Sequence, residues 1–161
     1  MPCVDSDAFI EHRLGESIRS YFEREGEQSF RDIEQSTIAE LVGSAQGVLA
    51  TGGGSVLRPA NREALRAGST VVYLRSTPEE LYRRVRHDTR RPLLQVSDPL
   101  GRLKELHGQR DPLYTQTAHF IVETGRPSVP MLVNMILMQL ELAGVLDAGA
   151  VPSPVVSPPR A

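Results

Sequence analysis

Apolar positions along this chain fall into two kinds of run, and their alternation sets the architecture. Short uninterrupted runs at Val48-Leu49-Ala50-Thr51, Thr70-Val71-Val72-Tyr73-Leu74 and Phe120-Ile121-Val122-Glu123 are bounded by turn residues and predict strands. Between them apolar residues recur at helical spacing. Phe9, Ile10 and Leu14 predict a helix that Gly15 ends, with Ser6 or Asp7 able to cap it. Ser17 caps a second helix, Ile18 to Glu25, closed by Gly26. A third runs from about Glu27 to Val42, with Phe30, Ile33, Ile38, Leu41 and Val42 on one side. Pro59 opens a short helix to Ala67, and Gly68 stops it. Ser76 to Glu80 starts another, with a cap, a first-turn proline and carboxylates near the positive dipole end, and it reaches about His87. Leu100 to about Thr117 is helical, with Pro112 placed to kink or split it. Ser128 to Ala143, rich in Met, Leu, Ile and Val, is the last helix.

Strands separated by helices predict an α/β domain with a mainly parallel sheet. Thr70 to Leu74 is nearly all apolar, so burial on both faces is expected for it. Cys3-Val4 reads as the end of one more strand. Asp88 to Pro99 lacks periodicity and is read as a mobile surface loop; from Asp147 on, prolines without an apolar period predict a disordered tail. The domain is therefore expected over residues 1–146 and the tail over 147–161.

Composition narrows the functional classes. A chain of 161 residues with 40% apolar and 24% charged residues is one ordinary globular domain with a real core. A net charge of -2 gives no reason to expect nucleic acid or an anionic membrane as partner. The single cysteine, Cys3, excludes an internal disulfide. No apolar run is long enough for a membrane span and no signal peptide is visible, so a cytoplasmic location is the expectation.

Candidate chemistry gathers at four places. Gly52-Gly53-Gly54 ends an apolar strand, where open α/β sheets bind small molecules and where glycine lets backbone approach a ligand; a tight strand-to-helix turn explains the same residues. No G-x-x-x-x-G-K-[ST] occurs in the 161 residues. Asp5 and Asp7, just past a strand end, could face a metal ion and a hydroxyl, or simply cap a helix. Arg83, Arg84, Arg86, Arg90 and Arg91 form either a solvated face, a nucleic-acid patch, or a loop that closes over a transferring phosphoryl group. Arg31 and Arg110 stand alone, as surface residues or as bidentate carboxylate binders.

Taken in order, V-D-S-D (Val4 to Asp7), G-E-x-x-F-R (Gly26 to Arg31), A-T-G-G-G-S-V (Ala50 to Val56), R-R-P-L-L (Arg90 to Leu94) and R-D-P-L-Y (Arg110 to Tyr114) closely resemble the shikimate kinase family. The resemblance covers about Cys3 to Ala143. It implies a three-layer α/β/α fold of the P-loop NTPase type, similar to nucleoside monophosphate kinases, and ATP-dependent phosphorylation of shikimate to shikimate 3-phosphate on the route to chorismate and the aromatic amino acids. By the same resemblance Asp7 binds the ring hydroxyls and is the proton acceptor, and Asp5 helps hold Mg²⁺ through water. Arg31 and Arg110 grip the substrate carboxylate, and Gly53 contacts substrate with Gly52 and Gly54 beside it. Arg91, in a lid at about 86–99, reaches the ATP phosphates and Arg84 is a second candidate; adenine contact falls to Arg126 or Pro127. A monomer is implied for the complete enzyme.

The resemblance also implies an upstream strand, phosphate loop and helix that these residues do not contain. The missing strand is expected at the sheet's centre, between those of Val48 to Thr51 and Thr70 to Leu74. The chain is therefore expected to be an N-terminally truncated shikimate kinase, inactive without the missing segment. The alternative is a non-catalytic shikimate-binding or regulatory remnant of a small-molecule kinase.

Overall fold

A computed structural model of the chain describes residues 2–44, 46–87, 96–125 and 128–147. The first strand, β1 (Cys3–Asp5), passes without a loop into helix α1 (Ser6–Leu14). The cap is Asp5, where Ser6 or Asp7 was expected: its Oδ1 accepts from the Asp7 N–H at 2.9 Å and the Ala8 N–H at 3.1 Å. An Ncap residue needs extended backbone, and Asp5, still in the strand, has it at φ −95° and ψ 120°. The shift leaves the Asp7 carboxylate in the first helical turn and free of capping duty.

Gly15 closes α1 in the left-handed conformation at φ 69°, and α2 (Ile18–Glu25) begins on the Ser17 hydroxyl cap. After Gly26 comes α3 (Glu27–Ser44), two residues longer than its apolar pattern predicts. One face from each of these helices supplies the core cluster Ile10, Tyr21 and Phe30, with Leu14, Ile18, Phe22 and Ile33 packed around it.

β2 (Val48–Ala50) runs parallel to β1 with Asp5 opposite Ala50. Two residues beyond that pair, the chains reach Asp7 on one side and Gly52 on the other, so the strand register alone brings the carboxylate to the glycine turn. Helix α4 (Pro59–Gly68) then packs on α3 and on α6 (Pro99–Thr117). It also fastens the turn that precedes it: Asn61 Nδ2 donates to Ser55 O at 2.9 Å and Arg62 Nη1 to Val56 O at 2.7 Å.

β3 (Val72–Arg75) and β4 (Phe120–Glu123) form a second parallel pair, Val72 opposite Phe120. α5 (Pro78–Val85), between β3 and α6, starts on a reciprocal capping box of Thr77 and Glu80. α6 runs on through Pro112 as one helix. Arg66 Nη1 donates to three carbonyls at its end, the shortest bond being 2.9 Å to Ala118 O. The last helix is α7 (Val129–Leu142), capped by the Ser128 hydroxyl.

Among the described residues the four strands form two separate parallel pairs, β1 with β2 and β3 with β4. This bears on the burial expected for Thr70 to Leu74. The strand is only partly covered, and Leu74 is 55% exposed. A parallel strand is sealed on both faces only where the sheet continues past it with helices above and below, and β3 has β4 as its single strand partner here. Of the loop expected at 88–99, residues 88–95 lie outside the described residues, 96–98 are irregular and Pro99 already opens α6; of the tail expected at 147–161 only Asp147 is described.

Candidate active site

The three glycines that end β2 each back onto a different functional side chain. A Cβ on Gly52 would lie 2.8 Å from Asp7 Oδ2. A Cβ on Gly53 would sit 3.4 Å from Arg110 Nη1 and 3.2 Å from the Tyr114 hydroxyl, and one on Gly54 would overlap the Arg31 guanidinium. Close approach calls for glycine at Gly52 and Gly54, where a Cβ would come within 3.0 Å of a charged group, while at Gly53 the fit is only tight. The structure thus gathers Asp7 from α1, Arg31 from α3 and Arg110 from α6 around one turn.

Asp7, Arg31 and the glycines line an open cavity of about 180 Å³, floored by the rings of Phe22 and Phe30. The size suits a small acid better than a drug-sized ligand, which needs roughly 300 Å³ or more. The two rings stack at 4.8 Å between centroids, and the Arg31 guanidinium carbon stands 5.4 Å from the Phe30 ring centre. Cation–π contact and packing therefore hold a positive charge in place against an apolar floor.

Glu34 completes the charge pattern. It is 1% exposed and accepts from Arg31 Nη1 at 2.9 Å, while Glu27 reaches Nη2 at 3.4 Å. Arg31 Nε is buried and finds no partner among the described residues. Burial pushes the Asp7 carboxyl above the usual carboxylate range, and Glu34, Asp5 and Glu11 push the same way against the opposing pull of Arg31. A carboxylate so raised is a better proton acceptor than an ordinary surface aspartate.

The remaining sequence candidates lie elsewhere. Asp5 has spent Oδ1 on the helix cap. Arg84 Nη2 donates to Thr124 O at 2.8 Å, and with Glu80, Arg83 and Gly125 it lines a separate open cavity at the end of β4. Arg91, Arg126 and Pro127 lie outside the described residues. Three site residues escaped the sequence reading. Glu34 was legible as a helical i,i+3 partner of Arg31. Phe22 had no local signal, since it looks like ordinary core until the chain folds, and Tyr114 stood in the R-D-P-L-Y motif with no role attached.

A family model for shikimate kinase matches residues 1–141. A shikimate kinase from Ralstonia nicotianae is 54% identical over 96% of this chain and 81% of its own length. One from Cupriavidus pinatubonensis is 57% identical over 89% and 74%. Among solved structures, shikimate kinase from Acinetobacter baumannii in complex with shikimate superposes with a TM-score of 0.82 at 42% identity, covering 89% of this chain and 80% of that one. The shared fold is the P-loop NTPase arrangement of parallel strands and helices. On family match, sequence identity and fold together, this chain belongs to the shikimate kinase family.

Proposed function

We propose that the cavity at the glycine turn is a shikimate site and that the complete enzyme transfers the γ-phosphoryl group of ATP to a ring hydroxyl of shikimate. The observation that carries this reading is the pairing of one glycine with each of Asp7, Arg110 and Arg31. Arg31 and Arg110 take the ring carboxylate; the unsatisfied, buried Nε of Arg31 supports an anion there. Asp7 faces the hydroxyl end, orients the attacking oxygen and accepts its proton. A new bond forms between that oxygen and the γ-phosphorus as the bond to the β,γ-bridging oxygen breaks, and ADP leaves.

Such a transfer asks the protein for positioning and positive charge more than for covalent help. Arg91 and Arg84 are proposed on the phosphates, with the lid at 86–99 closing over them, and Arg126 or Pro127 at the adenine. Mg²⁺ keeps most of its waters and takes one or two carboxylates with substrate phosphates. Asp5 fits that limited role through water, since it has one oxygen left after capping and no cluster of three acidic or histidine ligands stands among the described residues. When bound, the ion would neutralise charge on the phosphates.

The phosphate-binding half is the part these residues do not encode. No G-x-x-x-x-G-K-[ST] is present, and two parallel pairs left unjoined are consistent with a central strand supplied by a segment that carries that loop. We expect negligible phosphorylation of shikimate by the 161-residue chain and robust activity when a segment with the loop is joined ahead of it. Turnover by the chain alone, or an inactive joined protein, overturns the proposal. The absent loop also keeps a second reading open, a shikimate-binding protein without catalysis; tight binding of shikimate by calorimetry with no activity in the joined protein selects it.

A further inference from the structure

All three carbonyl oxygens of the glycine run are turned onto internal donors. Gly52 O accepts from the Ser55 N–H and Gly54 O from the Leu57 N–H, each at 3.1 Å. These are local turns that follow from the path of the chain itself. Gly53 O is different, for its donor is the hydroxyl of Tyr114, at 2.5 Å, from 61 residues away on α6.

A trans peptide is planar, with its carbonyl and its N–H on opposite sides. Whatever grips Gly53 O therefore also sets the direction of the Gly54 N–H. Glycine on both sides of this plane removes the steric bias that would otherwise stop it turning over. An inverted plane would present a carbonyl oxygen where it now presents an N–H, and a carboxylate is repelled by the first and bound by the second. Gly54 packs against Arg31, so the plane borders the place where an anion is expected and its direction matters there.

Tyr114 is itself held firmly. Its ring lies 4.9 Å from that of Tyr73, tilted by 38°, and the Tyr73 hydroxyl donates to Asp111 Oδ1 at 2.8 Å. Burial pushes the Tyr114 phenol up, against the opposing pull of Arg110, so the hydroxyl keeps its proton and remains a donor.

We propose that Tyr114 is a positioning residue: by latching Gly53 O it keeps the Gly53–Gly54 peptide in the orientation that offers an N–H to the acid, and so raises affinity without touching the ligand. The proposal rests on the reading of the cavity as a carboxylate site, and two measurements separate them. In the ligand-free, nitrogen-15-labelled 161-residue chain, Tyr114→Phe keeps the ring and removes only the hydroxyl. Its Gly54 amide resonance should shift and broaden or double, whereas Tyr73→Phe, which removes the neighbouring hydroxyl, should leave that resonance in place.

In calorimetry Tyr114→Phe should weaken shikimate binding by roughly 5- to 10-fold, the scale of one hydrogen bond, and Tyr73→Phe by less than about 2-fold, with melting temperatures unchanged. A Gly54 resonance in Tyr114→Phe identical to that of the parent overturns the latch, as does unchanged affinity, or an equal loss in both variants that follows melting temperature. Absence of any shikimate binding by the parent sinks the carboxylate reading, and the ligand-free Gly54 signal still decides the latch.

Discussion

Glu34 lies one turn beyond Arg31 on α3 and binds it at 2.9 Å with only 2% of its own side chain exposed. One buried carboxylate thereby does two jobs. It fixes the guanidinium that is proposed to meet the substrate acid, and its charge is the second-largest cause, after burial, of the raised Asp7 carboxyl. Glu34→Gln keeps the shape and deletes the charge. Asp7 should then ionise at lower pH, moving the acid limb of kcat/KM in the complete enzyme toward acid. An unmoved limb would mean that Asp7 is not the titrating group. Glu34→Ala should also cost about 3 kcal/mol of stability by denaturant melting, the lower end for a broken buried pair because Glu27 still reaches Arg31.

Alanine at each glycine separates binding from stability. Added methyls at Gly52 and Gly54 meet the ends of Asp7, which can swing away, and of Arg31, which cannot move without leaving buried Glu34. Little folding energy is lost when a flexible tip moves, but the tip no longer serves the ligand. Gly52→Ala and Gly54→Ala should therefore weaken shikimate binding by about 10-fold or more, the scale of one charge-assisted contact, with melting temperature nearly unchanged in the first and lowered in the second, where Arg31 is pushed from Glu34. Gly53→Ala, with its nearest neighbour 3.2 Å away, should be the mildest of the three. Titration calorimetry beside thermal melts checks the order, and equal effects at all three positions would contradict it.

Asp7 carries a stability cost with a definite sign. Its folded pKa is raised, so above that folded value the native state carries a charge that costs it stability, and the penalty shrinks as pH falls from the folded value to the unfolded one. Asp7→Asn removes that charge. The variant should melt at a higher temperature than the parent near neutral pH, the difference shrinking on acidification, while phosphorylation in the complete enzyme is lost. A variant less stable than the parent near neutral pH would show that the carboxylate is satisfied by the fold.

Local pattern carried most of the secondary structure, because caps and glycine stops act over a few residues. Ser17 opens its helix, and Gly15 and Gly26 close theirs, where the sequence placed them. The site was legible as ordered motifs, but not its internal contacts. Tyr114 and Gly53 are 61 residues apart, and nothing in either segment says that one donates to the other. The N-cap was misplaced by one or two residues because Asp5, Ser6 and Asp7 are all good caps, and only the strand end at Asp5 decides among them. Burial was overestimated at β3 for a related reason: an apolar run states a demand for cover, and the cover must come from other parts of a sheet.

The same unmet demand is visible on α7. Met131, Met135, Met138 and Leu142 recur at four- and three-residue steps along one side, and they are 58%, 39%, 56% and 83% exposed. Leu74 on β3 adds a half-exposed strand position. Contiguous apolar surface of this kind drives association, and unpaired strand edges promote it further. The 161-residue chain should accordingly show a mass that rises with concentration in sedimentation. Replacing Met131, Met138 and Leu74 by lysine should lower that mass toward the monomer. Shikimate affinity should stay the same, because none of the three lines the cavity of Asp7 and Arg31. A parent that sediments as a monomer at every concentration would mean that this apolar surface is covered in solution by the chain itself.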